Sequence, residues 1–113
     1  MNGAATKNRT IGAVLTTSNA DLYTVPTRYI SNVSSIIVSN ASASKTTFSL
    51  DWYDTVTSTW YTLAEVTEMT GNSILQLTNG FQLQAGDKFR GLASAADSIT
   101  VSIRVEESYS VVS

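Results

Sequence analysis

From Ile99 to Glu106 apolar and polar residues alternate without a break, with Ile99, Val101, Ile103 and Val105 on one parity and Thr100, Ser102, Arg104 and Glu106 on the other. Successive side chains of a strand point to opposite faces, so this period predicts a strand with four β-branched residues in a core and a polar row outside. The same period recurs upstream. Residues 46–53 set Phe48, Leu50 and Trp52 inward against Thr47, Ser49 and Asp51 outward, and residues 10–16 place Ile11, Ala13 and Leu15 on one face. Residues 22–25 form a short strand stopped by Pro26, the only proline, which gives no N–H to a ladder and belongs at an edge or a strand end. Residues 29–40 form a longer one. Its run Ser35-Ile36-Ile37-Val38-Ser39 is apolar on both parities, which predicts a strand covered on both faces.

Turn chemistry punctuates these strands. Asp54-Thr55-Val56-Thr57-Ser58 joins residues 46–53 to a hairpin partner at 59–66. Residues 65–71 are the one place where a short helical turn fits. Strands at 73–78 and 81–84 flank a tight turn at Asn79-Gly80, and Ala85-Gly86-Asp87 turns the chain into a strand at 88–93. Ala95-Ala96-Asp97 then leads into the closing strand. Eight or nine short strands without a convincing helix predict an all-β, single-domain β-sandwich or jelly roll with mainly antiparallel pairing. The domain is expected over residues 10–107, with a flexible polar arm at 1–9 and a tail at 108–113.

Composition narrows what such a domain does. Charged residues make up only 14% of the 113, and 16 serines and 16 threonines fill the surface instead. Hydroxyl-bearing surfaces suit strands, and they suit faces covered by copies or partners, because few charges need desolvation there. The net charge is −2, and the seven Lys and Arg residues are spread along the chain. No basic stripe is available for a phosphate backbone, which argues against nucleic acid as a partner. No apolar run approaches the roughly 20 residues of a membrane-spanning helix, and residues 1–10 lack the apolar region of a secretion signal. Membrane is therefore not an expected partner, and synthesis in a cytoplasm is expected.

Histidine and cysteine are both missing. Ser-His-Asp triads, Cys-His pairs, disulfides and the common zinc sites are thereby excluded. Asp51 and Asp54 offer a formal carboxylate pair, but an outward strand position and a turn start explain them better. No catalytic, cofactor-binding or metal-binding residues are assigned, and the chain is not expected to be an enzyme.

The aromatic pairs Trp52-Tyr53 and Trp60-Tyr61 face each other across the expected hairpin, where cross-strand pairing contributes about 0.2–1 kcal/mol per pair. Adjacent Trp60 and Tyr61 cannot both point inward from a regular strand, so Tyr53 with Trp60 or Tyr61 forms a candidate exposed patch for protein or sugar. The partner-binding candidates are these three aromatics, Lys7 and Arg9 on the expected arm, and Arg104 on the outward row of the last strand.

Leu22-Tyr23-Thr24-Val25-Pro26, Ile36-Ile37-Val38-Ser39-Asn40 and Phe48-Ser49-Leu50-Asp51-Trp52-Tyr53-Asp54 follow one another in the chain. Leu83-Gln84-Ala85-Gly86-Asp87, Ala93-Ser94-Ala95-Ala96 and a final strand reaching Glu106-Glu107 come after them. This order, over residues 11–107, resembles small β-sandwich structural proteins of tailed bacteriophages. The resemblance implies a non-enzymatic virion protein present in many copies, which decorates or cements a capsid or belongs to tail and fibre appendages. The expected partners are then the major capsid protein and copies of the chain itself, a trimer among them, on the capsid surface. The alternative is a tail or head-fibre module that contacts host-surface carbohydrate through its exposed aromatics.

Overall fold

The computed structural model describes residues 6–77 and 80–109. Nine strands run through them: β1 (Thr6–Val14), β2 (Ala20–Thr24), β3 (Tyr29–Asn40), β4 (Thr46–Asp54), β5 (Thr59–Met69), β6 (Ser73–Leu77), β7 (Phe81–Leu83), β8 (Lys88–Ala93) and β9 (Ile99–Tyr109). The chain pairs as one long antiparallel hairpin with β4 and β5 at its tip. Behind them β3 pairs with β6 and β7, β2 with β8, and β1 with β9. Successive rungs alternate between two sheets, β1-β9-β3-β6 with β7 also beside β3, and β2-β8-β4-β5. A hairpin rolled in this way is a jelly roll, so the all-β sandwich read from the period is the observed architecture.

The core lies between the sheets. Ile99, Val101, Ile103 and Val105 of β9 are buried against Phe48, Leu50 and Phe89 of the facing sheet. Each such side chain contributes about 1.5–3 kcal/mol by leaving water. Gly71 allows a close crossing next to this core, since a Cβ there would sit 2.3 Å from the carbonyl oxygen of Ala43.

Bulges decide several faces that periodicity alone misassigns. In β3 the register shifts between Val33 and Ser35. Ser31 and Val33 point inward before it, and Ile36, Val38 and Asn40 after it. Residues 35–39 are therefore not covered on both faces: Ile37 lies outward and is 37% exposed. The helical turn expected at 65–71 is also absent. β5 continues to Met69 because the donors and acceptors of Thr67, Glu68 and Met69 find the ladder of β4. The register slips twice along this pair, and one of the spare residues is absorbed at Val66, which takes a left-handed φ of 43° and gives its N–H to Ser49 Oγ at 2.9 Å.

The described parts of the expected arm at 1–9 and tail at 108–113 are strand. Residues 6–9 continue β1 in register with β9, and Ser108 and Tyr109 belong to β9 itself. The ladder extends because Lys7 and Arg9 face a buried acid on β9. The remainder of both expected segments lies outside the described residues, as does Asn79 of the expected tight turn.

Candidate functional site

The outward face of β2-β8-β4-β5 holds two of the aromatic candidates. Tyr53 and Trp60 oppose each other across β4 and β5, with ring centroids 5.0 Å apart. Lys88 and Arg90, outward on β8, cover them. The Arg90 guanidinium carbon lies 3.9 Å from the Trp60 ring centroid, and the Lys88 ammonium lies 5.4 Å from that of Tyr53. Both cations are also ion-paired, Arg90 with Asp51 at 2.9 Å and Lys88 with Asp21 at 3.4 Å. This face is a closed set of charge and ring contacts within one chain.

Tyr61 does not join it. As the neighbour of Trp60 it points to the other side of the sheet, where it stacks on Trp52 at 5.2 Å. Of the two expected companions of Tyr53, Trp60 shares its face and Tyr61 lies on the other with Trp52. Asp51 serves Arg90, and Asp54 Oδ1 accepts the N–H of Val56 at 2.9 Å within its turn. Neither is placed for acid–base chemistry with the other. Among the described residues no cluster of three or more acidic, histidine or cysteine side chains is arranged to hold a metal ion.

The least expected group is Glu107, whose side chain is fully buried. It continues the inward parity of Ile99, Val101, Ile103 and Val105 by one more step. Arg9 Nη1 donates to both its oxygens, at 3.1 and 3.3 Å, and the Lys7 ammonium lies 3.8 Å away. The Tyr23 hydroxyl donates its one proton to Glu107 Oε2. Ser31 Oγ, 3.1 Å from the same hydroxyl, is then left as the donor in the second bond. Burial, and next the bond to Glu107, push the Tyr23 phenol up to about 12. Lys7 and Arg9 therefore act first inside their own chain, fastening β1 to β9 and, through Tyr23, to the facing sheet.

Two further buried polar residues pin loops. Asp87 accepts from Thr55 N–H at 2.9 Å, Thr55 Oγ1 at 2.8 Å and Gln84 N–H at 2.8 Å, following Gly86 at a φ of 89°. Asn40 gives its amide N–H groups to the carbonyls of Ser44, Met69 and Thr70, and accepts from Ser42. The turn signal at 83–87 and the asparagine closing the β3 segment are visible in the sequence. Their long-range partners are not.

Arg104, the last candidate, lies on the outward face of the other sheet. With Glu106 it borders an open depression of about 530 Å³ lined also by Asn8, Asn32, Ser35 and Gln76. The structure thus distributes the six candidates over three places: Lys7 and Arg9 at Glu107, Tyr53 and Trp60 under Lys88 and Arg90 with Tyr61 behind them, and Arg104 alone on the opposite face.

No family model and no curated protein matches the chain. Solved structures that match the chain include the following two. A protein of Bacillus endospore appendages, described as a family of disulfide-linked pili, superposes with a TM-score of 0.56 at 15% identity, over 96% of this chain and 89% of that one. A chain of infectious bursal disease virus, Gt strain, gives a TM-score of 0.42 at 9% identity, over 94% of this chain. This chain spans 32% of that viral chain's length.

Proposed function

We propose that this chain is a non-enzymatic structural subunit of a bacteriophage virion, a decoration or cement protein that binds the major capsid protein on the outside of the head. One observation carries the reading: among the described residues every buried polar side-chain atom has a partner within the chain. Glu107, Asp87 and Asn40 tie strands and loops together, so the chemistry of the interior goes into holding the sandwich. What the molecule offers outward is a surface poor in charge and rich in hydroxyls. The fold it shares with a pilus-forming appendage protein supports a building-block role.

The mechanism is adhesive. Copies bridge junctions between shell subunits and add buried area, with on the order of 1,200–2,000 Å² needed for each stable contact. The test is made on particles. Heads assembled without this chain are expected to lose thermal and osmotic stability and to regain both when purified chain is added, at hundreds of copies per particle. Unchanged stability, or a dozen copies or fewer, overturns the cement role. In the carbohydrate alternative a glycan array detects binding that Trp60→Ala abolishes. The cement role expects none, since the Arg90 guanidinium already lies over that ring.

A further inference from the structure

The two outward faces differ in how their charges are used. On β2-β8-β4-β5 the charges of the interior strand β8, Lys88 and Arg90, pair with Asp21 and Asp51, and the acids without an ion pair, Asp54 and Glu65, lie at a strand end and on the edge strand β5. On β1-β9-β3-β6, Arg104 and Glu106 stand exposed on an interior strand. Among the described residues neither has an ion-pair partner, although they lie one step apart on the same face. Opposite charges left without an ion pair in the middle of a sheet face have the form of one half of a self-complementary contact.

The strand registers say what the other half is. Four rows of outward residues cross this sheet: Gly12, Ser102, Ile37 and Gln76; Thr10, Arg104 and Ser35; Asn8, Glu106, Asn32 and Gln82; Thr6, Ser108 and Ile30. Consider a two-fold axis lying in the plane of contact and crossing β9 at Val105, perpendicular to the strands. It sets the row of Arg104 on the row of Glu106 of a second copy, and the reverse, giving two ion pairs. The same operation sets the row of Ser102 on that of Ser108, because each lies three residues from Val105. Exposed Ile37 then meets Ile30 of the second copy, since β3 lies over β3. One axis satisfies both the stranded charges and the exposed isoleucine.

We propose that the outward face of β1-β9-β3-β6 is a two-fold interface between copies of this chain, centred on reciprocal Arg104–Glu106 pairs. Its size fits. Four strands at about 4.8 Å spacing and nine residues at about 3.3 Å rise give about 570 Å² of flat area. Side-chain relief adds to this, against roughly 800 Å² per partner in a standard interface. Sheets pack face to face about 10 Å apart with interdigitated side chains, and this face carries no other charge in the four rows to desolvate. The contact is a property of the isolated chain and does not depend on the role proposed above.

The experiment is sedimentation velocity on the full chain at 1–100 µM (about the range in which such interfaces populate dimers), with thermal melts to confirm folding. The wild-type chain forms dimers. Arg104→Glu alone and Glu106→Arg alone set like charges opposite each other and weaken dimerisation at least tenfold, with melting temperatures little changed because both side chains are exposed. An equimolar mixture of the two variants, and the double variant R104E/E106R, restore wild-type association. Ile37→Asp weakens it, and Trp60→Ala on the other face leaves it unaltered. A wild-type chain that stays monomeric overturns the interface. So do dimers indifferent to both reversals, or folded reversal variants that fail to rescue each other. None of these outcomes bears on whether particles need the chain, so the two proposals fail separately.

Discussion

Replacing Glu107 with leucine tests how a fully buried carboxylate is held between two sheets. The cations facing it are half in water, with 53% of the Lys7 side chain and 45% of the Arg9 side chain exposed. They re-solvate when the acid is removed, so the roughly 3–5 kcal/mol of a broken, fully buried pair does not apply. The buried Tyr23 hydroxyl does lose its charged acceptor and is left with Ser31 Oγ at 3.1 Å, and the loss of such a bond costs about 1–3 kcal/mol. Tyr23→Phe removes the donor instead and costs about 1.5–3 kcal/mol, as for a hydrogen bond to a charged group. In the double variant neither Tyr23 nor Glu107 faces a vacated partner, and the buried Ser31 hydroxyl, which loses Tyr23 equally in both proteins carrying Tyr23→Phe, cancels from the comparison. Its cost is expected to fall below the sum of the two singles by about 1–2 kcal/mol. Urea unfolding of the four proteins measures this directly, and with a slope of roughly 1–3 kcal/mol/M the coupling displaces the double variant's midpoint by about 0.3–2 M from additivity. Costs that add within about 0.3–0.5 kcal/mol refute the reasoning. The cations alone would then hold Glu107, and Tyr23 would be mere packing.

The raised phenol of Tyr23 also makes stability depend on alkaline pH. Its folded value, about 12, lies above the unfolded 10.0, so the contribution is complete below pH 10 and disappears as the pH rises toward 12. The difference in urea midpoint between wild type and Tyr23→Phe should shrink across that window, and a constant difference contradicts the assignment. Asp87→Ala strands two backbone N–H groups and a hydroxyl, at a cost of about 3–5 kcal/mol or a fall in Tm of roughly 12–20 °C. Asp87→Asn, which keeps one acceptor oxygen, should lose about half as much, and a fall under about 3 °C for the alanine variant sinks the account of this turn.

Much of the fold is legible because strands and turns are local codes. The alternation at 46–53 and at 99–106 assigns each side chain a face, and Asp and Gly at 86–87 mark a turn whatever lies beyond it. Misreadings occur where the period is ambiguous or slips. Ile37 looked doubly covered because Ile36, Ile37 and Val38 are apolar on both parities, whereas only one face of this sheet meets the other sheet, and 65–71 looked helical because bulges break its alternation. The site was less legible than the fold. Parity alone separates Trp60 from Tyr61, but only the neighbouring strand brings Arg90 over the indole.

By itself the sequence determined an all-β domain, most of its strands, and the inward rows of β4 and β9, since side-chain direction in a strand depends on nothing beyond the pleat. Parity even directed Glu107 inward. Only the tertiary structure decided what a buried acid meets there: Arg9 from a strand 98 residues away and Tyr23 from the opposite sheet. It also decided that Arg104 and Glu106 are left without an ion pair on one face while Asp51 and Arg90 pair on the other. Those outcomes depend on which strands become neighbours when the hairpin rolls up, and no local pattern encodes that.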